Sequence, residues 1–127
     1  MRKMPHRRWQ PLKQVFKTLV IRGDRTGILA ACIPGGAELN LKALAFISGN
    51  KKVEMIHLKE IKLLTGYVRG GVSPLAMKKN YPTYVDESAF QFPFIILSAG
   101  VRGLQLKVDP NDLSKTMHLI SGKLTVA

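Results

Sequence analysis

Gly70-Gly71-Val72-Ser73-Pro74 is the segment of this 127-residue chain best suited to holding a negatively charged oxygen. Two adjacent glycines let main-chain N–H groups approach a ligand with no Cβ in the way. Ser73 precedes a proline and is pushed to an extended conformation. The product is a stiffened bend with exposed donors, fit for a carbonyl oxygen or a phosphate. The same five residues also make an ordinary Gly/Pro turn, and the pentapeptide alone does not choose between the two. Lys17 is the second candidate. It interrupts Val15-Phe16-Lys17-Thr18-Leu19-Val20-Ile21, whose β-branched and aromatic content predicts a strand. With period two, Val15, Lys17, Leu19 and Ile21 share one face, and Phe16, Thr18 and Val20 share the other. A lysine there is costly unless it reaches water or meets an anion. It is either an edge-strand charge that blocks aggregation or a cation that meets an anion.

Other chemistries find no support. No Ser/His/Asp or Cys/His constellation is visible, and Asp86-Glu87 are adjacent, so on a strand they point to opposite faces. Cys32, the single cysteine, excludes an internal disulfide. It lies in the apolar run Ile28-Leu29-Ala30-Ala31-Cys32-Ile33 and reads as a core residue. His6, His57 and His118 lack metal-ligand spacing, and there is no phosphate-binding Walker loop or dinucleotide fingerprint. What remains is a site that works by positioning and electrostatics.

Twenty Lys and Arg against eight Asp and Glu give a net charge of +12, which favours a polyanionic partner. No apolar run approaches the ~20 residues of a membrane span, and no long basic amphipathic helix suits a membrane surface, so RNA is the expected partner. Residues 1–13 carry Arg2, Lys3, Arg7, Arg8 and Lys13 and no acid. They read as a basic arm that touches RNA or as a disordered tail. No apolar stretch of the secretory kind follows, so a cytoplasmic location is expected.

Short elements must position these groups. Val15–Ile21 and Ile28–Ile33 predict a hairpin closed by Arg22–Gly27. Asn40 caps a helix over Leu41–Ile47, with Leu41, Leu44, Ala45 and Ile47 as its apolar stripe and Gly49 as its stop. Lys52–Met55 is a short strand and His57–Leu64 a short helix ended by Thr65-Gly66. Thr83–Val85, Phe92–Ser98 and Leu104–Val108 are strands, the second buried on both faces. Asp109 and Pro110 open a helix to about Met117, and Lys123–Val126 is a last strand. Strands and helices mix without a βαβ rhythm, so the class is α+β.

Four blocks arrive in one order: Gln14-Val15-Phe16-Lys17-Thr18-Leu19, Lys51-Lys52-Val53-Glu54-Met55, Thr65-Gly66-Tyr67-Val68-Arg69-Gly70-Gly71-Val72-Ser73-Pro74-Leu75, and Ser98-Ala99-Gly100-Val101-Arg102-Gly103-Leu104. Together they resemble the YbaK-like aminoacyl-tRNA deacylases, the Cys-tRNA(Pro) deacylases related to the editing domain of bacterial prolyl-tRNA synthetases. The resemblance spans 14–127, leaving 1–13 as the basic arm. It implies a curved mixed sheet, partly closed like a barrel, with flanking short helices. The activity it implies is substrate-assisted hydrolysis or release of cysteine from Cys-tRNA(Pro), by the cysteine thiol attacking its own carbonyl or, in other branches, by a water that substrate hydroxyls orient, with no cofactor and no metal. Lys17, Gly70 and Gly71 are the implied catalytic residues, with the glycine N–H groups on the carbonyl oxygen. Phe16, Ser73, Pro74, Ser98 and Gly100 are implied to bind substrate. Lys78, Lys79 and Arg102 flank the glycine loops and can meet the tRNA backbone, or form a solvated face. The implied partners are tRNA and prolyl-tRNA synthetase. Two departures stand out: the family's strand and helix before the lysine-bearing strand are not recognisable, and Ala76 replaces a glycine. An inactive, truncated tRNA-binding module is the alternative.

Overall fold

The computed structural model describes residues 2–5, 14–56, 82–98, 104–116 and 119–126. Among them, eight strands form one mixed sheet: β1 (Arg2–Pro5), β2 (Val15–Gly23), β3 (Gly27–Pro34), β4 (Val53–Met55), β5 (Thr83–Asp86), β6 (Ile95–Ser98), β7 (Leu104–Val108) and β8 (Leu119–Gly122). The order is β1-β7-β6-β2-β3-β5-β8, with β4 also paired to β2. The sheet curls into a half-barrel with a few short helices, as the α+β reading expects.

β2 and β3 make the expected hairpin, in register from Phe16↔Pro34 to Gly23↔Gly27. Its turn ends on Gly27, whose φ of 76° lies in the left-handed region that glycine enters without strain. Opposed residues across this ladder share a face, and the two faces build two cores. Ile21, Leu29, Ala31 and Ile33 pack with Leu44 and Ala45 of helix α1 (Leu41–Ser48) and with Leu124. Phe16, Cys32, Val85, Ile95 and Leu97 pack on the other face with Ala89 of a 3-10 helix (Glu87–Gln91) and Leu113 of helix α2 (Pro110–Thr116).

The helix signals hold in the fold. The Asn40 side chain accepts from the Ala43 N–H at 3.1 Å, and Gly49 closes α1 with φ 78°. Leu44 and Ala45 are buried, whereas Leu41 of the expected stripe is exposed. Asp109 accepts from the Asn111 N–H at 2.9 Å at the start of α2. The strand expected over Phe92–Ser98 begins only at Ile95, because the Phe92 N–H closes the 3-10 helix on the Ala89 carbonyl. β6 lies between β7 and β2, and Ile95, Ile96 and Leu97 are fully buried, as expected of a central strand.

Two expectations need correction. Arg2–Pro5, expected within a basic arm or tail, is β1 and pairs antiparallel with β7 from Arg2↔Lys107 to Pro5↔Leu104. Without it β7 would present an open edge, and pairing that edge outweighs the weak strand propensity of a short, charged, proline-containing segment. The last strand is Leu119–Gly122, not Lys123–Val126: it pairs parallel with β5. Leu124 cannot continue that ladder, because its N–H donates to the Asp86 carboxylate at 2.8 Å. Thr125 keeps only an isolated bridge to Leu39. The expected helix His57–Leu64 lies outside the described residues. Among the described residues no helix is long and apolar enough to cross a membrane.

Candidate functional site

Lys17 sits on a central strand. β2 is flanked by β3 on one side and by β6 and β4 on the other, so the edge-strand explanation of this lysine does not apply. Lys17 is half-buried, and the described neighbours on its face are apolar: Val15, Leu19 and, directly across, Ile33.

The side of β2 away from β3 changes partner at this point. β6 runs parallel to β2 at Val15↔Ile96 and Phe16↔Leu97. β4 takes up the same side, antiparallel, from Ile21↔Met55 to Gly23↔Val53, and the Ile56 N–H reaches the Val20 carbonyl at 3.3 Å. Lys17, Thr18 and Leu19 lie where one partner has left and the other has not begun. In open sheets such a switch, at the carboxyl end of a parallel strand, forms a crevice that ligands use. Ser98 is the last residue of β6 and follows Leu97, whose partner Phe16 precedes Lys17, so Ser98 and Lys17 both lie one step past the last rung of this ladder.

Gly70, Gly71, Ser73, Pro74, Lys78, Lys79, Gly100 and Arg102 belong to segments 57–81 and 99–103 and lie outside the described residues, as does Ala76. Phe16, expected to touch substrate, is 2% exposed and packs in the core on the opposite face from Lys17. Here it anchors the strand.

Cys32 is fully buried beside the Thr18 hydroxyl at 3.6 Å, and burial pushes its thiol up to about 11. A thiol so held stays protonated and is no nucleophile, in line with its reading as core. Among the described residues no cluster of His, Cys, Asp and Glu is arranged to hold a metal ion.

Asp86 is a polar centre that sequence reasoning does not single out as a site. It is 3% exposed. One carboxylate oxygen accepts from the Leu124 N–H, and the other accepts from the Ser88 N–H at 3.2 Å and the Ser88 hydroxyl at 2.5 Å. A local signal exists: an aspartate two residues before a serine at a strand end is a capping pattern. Asp86 and Ser88 border a half-open cavity of about 400 Å³, with Pro34, Ala37, Gln91 and Phe92 among its walls. Lys17 pairs with Ile33, and Cys32 with Val85, so Asp86 falls in the same row as Lys17, two strands away. At ~4.8 Å per strand the backbones are roughly 10 Å apart. Cavity and lysine therefore occupy one end of the sheet.

A family model for the aminoacyl-tRNA editing domain matches residues 3–116. The chain belongs to the aminoacyl-tRNA editing domain family. A match that starts at residue 3 begins inside β1, the strand that completes the sheet edge. The editing domain is 57% identical over 97 residues to the Enterococcus faecalis protein named "Putative Cys-tRNA(Pro)/Cys-tRNA(Cys) deacylase EbsC", a match covering 76% of this chain and 59% of that protein. It is 32% identical over 69 residues to the proline–tRNA ligase of Thermosipho africanus, covering 54% of this chain and 12% of the ligase. Among solved structures it resembles a "putative trans-editing enzyme for prolyl tRNA synthetase", with a TM-score of 0.85 at 23% identity over 92% of this chain and 73% of the other. This chain thus spans less than two thirds of the length of EbsC.

Proposed function

We propose that this editing domain cleaves the ester between a wrongly attached amino acid and the terminal ribose of tRNA, with cysteine on tRNA(Pro) as its substrate. The observation that carries the reading is Lys17: a half-buried cation on a central strand, among apolar neighbours, at the point where β2 changes partner. Such a lysine needs an anionic or polar partner to offset its desolvation, and the terminal phosphate or ribose of tRNA supplies one. The +12 charge suits the same polyanion. The name of EbsC and the ligase match support the choice of cysteine and of tRNA(Pro).

In this proposal the N–H groups of Gly70 and Gly71 hold the ester carbonyl oxygen as negative charge develops on it. The substrate supplies its own nucleophile. The cysteine thiol attacks its carbonyl carbon, a C–S bond forms, the C–O ester bond breaks, and the thiol proton ends on the departing ribose oxygen. Lys17 orients the ribose–phosphate end, and Ser73, Pro74, Ser98 and Gly100 line the aminoacyl pocket. Lys78, Lys79 and Arg102 meet the acceptor-stem backbone. A prolyl-tRNA synthetase is the partner that would present the tRNA, in the cytoplasm.

The deciding experiment is a deacylation assay on Cys-tRNA(Pro), Ala-tRNA(Pro) and Pro-tRNA(Pro). Turnover of Cys-tRNA(Pro) with Pro-tRNA(Pro) spared is the expected result. Binding of all three without turnover would leave the inactive tRNA-binding module.

A further inference from the structure

The end of the sheet opposite Lys17 is also built for a purpose. Asn50 is 8% exposed and ties three segments together. Its side-chain oxygen accepts from the N–H groups of Arg25 and Thr26 at 2.9 and 3.0 Å, and its amide donates to the Thr26 and Ser48 hydroxyls at 3.0 and 2.8 Å. Its own N–H donates to the Ala45 carbonyl at 2.8 Å. The hairpin turn, the C-terminus of α1 and the start of β4 are thus one rigid tip. Asp24 completes it by accepting from the Lys51 and Lys52 N–H groups at 3.0 and 3.1 Å.

This tip leaves Arg25, Lys51 and Lys52 exposed. On α1, Lys42 and Phe46 follow at i and i+4 and share the helix face turned to solvent, where Phe46 is 87% exposed. Among the described residues the acids near these cations in the chain are Asp24, Glu54 and, ahead of α1, Glu38, and the Asp24 carboxylate already holds two N–H groups. An aromatic ring in solvent, on the element that ends at a tip whose backbone is tied down and carries several exposed cations, matches the two chemistries of a nucleic-acid strand: a base to stack and phosphates to neutralise. α1 covers the same sheet face that carries Lys17, and its N-terminus lies towards the Lys17 end. From Lys17 to Gly23 the strand spans six residues, roughly 20 Å at ~3.3 Å each.

We propose that Phe46, Lys42, Arg25, Lys51 and Lys52 form a second RNA-contact surface, which grips the tRNA backbone roughly 20 Å from Lys17, at ~3.3 Å per strand residue. The proposal rests on the editing reading. Its occupant is the same tRNA whose 3′ end reaches Lys17. Phe46 stacks on a base or ribose, and the four cations hold phosphates.

The test is the affinity of the full chain for uncharged tRNA(Pro), measured by fluorescence anisotropy across a series of KCl concentrations. Lys51→Ser/Lys52→Ser keeps the main-chain bonds of the tip. It should weaken binding about tenfold and lower the log–log salt slope by about two, one for each phosphate that is no longer neutralised. Phe46→Ser should weaken binding about tenfold with the slope unchanged, since stacking releases no counterion. Lys115→Ser removes an exposed charge from α2 on the opposite face and serves as control, with wild-type affinity expected. Losses that follow the number of charges removed, with Lys115→Ser losing about half as much in log Kd as the double lysine variant and Phe46→Ser binding like wild type, would mean that only total charge matters, and would overturn the surface. So would wild-type binding by the first two, or a Phe46→Ser variant that turns a dimer into a monomer with tRNA affinity intact. A wild-type chain that binds no tRNA would remove the editing reading itself, whereas tight wild-type binding with unaffected variants removes this surface alone.

Discussion

The two ends of β2 carry opposite solutions to a buried polar group. At Gly23 the strand abuts Asn50, whose side-chain oxygen accepts two hydrogen bonds and whose amide donates two. At Lys17 a cation stands among Val15, Leu19 and Ile33, where the strand loses β6 and has not gained β4. Asn50 is satisfied by the chain around it, so its hydrogen bonds contribute to stability. Lys17 is placed where its stabilising partner can come from outside the fold. A polar group that the fold completes serves the fold, and one whose described neighbours are all apolar is better kept for a ligand.

Lys17→Ala is the sharpest way to break this comparison, and the largest effect expected. If the cation orients the ribose–phosphate end of the substrate, deacylation of Cys-tRNA(Pro) should fall about 10²-fold, the order of loss that follows from misplacing the reacting end. The thermal midpoint should stay level or rise, because removing a half-buried charge relieves desolvation. Rate and midpoint are measured on the same preparation. Full activity in a folded variant would place Lys17 with the structural residues and dissolve the contrast.

Asn50→Ala should show the reverse pattern. It leaves the Arg25 and Thr26 N–H groups and two hydroxyls without their shared partner. The expected loss is about 2–3 kcal/mol in urea unfolding, near the cost of removing several hydrogen bonds around one buried side chain. An Asn50→Ala chain as stable as wild type would mean that the tip is held by packing rather than by this amide.

Much of this arrangement is legible in the residues, and the failures have definite causes. The hairpin, the Asn40 and Asp109 caps and the Gly49 stop depend on neighbours a few positions away, and local signals carry them. The β1–β7 pairing joins residues roughly a hundred positions apart, and nothing within Arg2–Pro5 announces it. Nothing next to Asn50 marks it beyond the stop of α1, since its side-chain partners span Arg25 to Ser48 and converge only in the fold. Lys17 is visible because a charge in an apolar strand is conspicuous. Its central position, which removes the edge explanation, comes only from the sheet order. The glycine loops are equally visible, and they stand outside the described residues.

Gly23→Ala sharpens the comparison further. A Cβ at this position would collide with the Asn50 side-chain amide. The amide must rotate or the strand must shift, at a cost of about 1–2 kcal/mol, less than Asn50→Ala because some of the hydrogen bonds survive. Combined with Asn50→Ala, the substitution should add almost nothing, because the side chain it strikes is already gone. A fully additive double variant would mean that Gly23 is required for the strand itself.

The smallest effect concerns Asp24, and its sign is set by its partners. The Lys52 N–H is the main cause that holds its carboxyl below the ordinary 3.8, with Lys51 adding to it and partial desolvation opposing both. A group whose folded value is depressed contributes stability above its unfolded value and loses it as pH falls through the folded value. Asp24 should therefore help the tip at neutral pH and lose that help as pH falls from 3.8 through its lower folded value. Asn at this position keeps an acceptor oxygen and loses only the charge-assisted part of the two bonds. Asp24→Asn should then unfold at slightly lower urea than wild type at pH 7, and the gap should close as the carboxyl protonates. Urea midpoints of both chains at neutral and strongly acidic pH read this directly. A gap that persists in acid would assign the difference to side-chain geometry rather than charge. The two N–H groups would then be held equally well by a neutral acceptor, and the tip would owe its order to Asn50 alone.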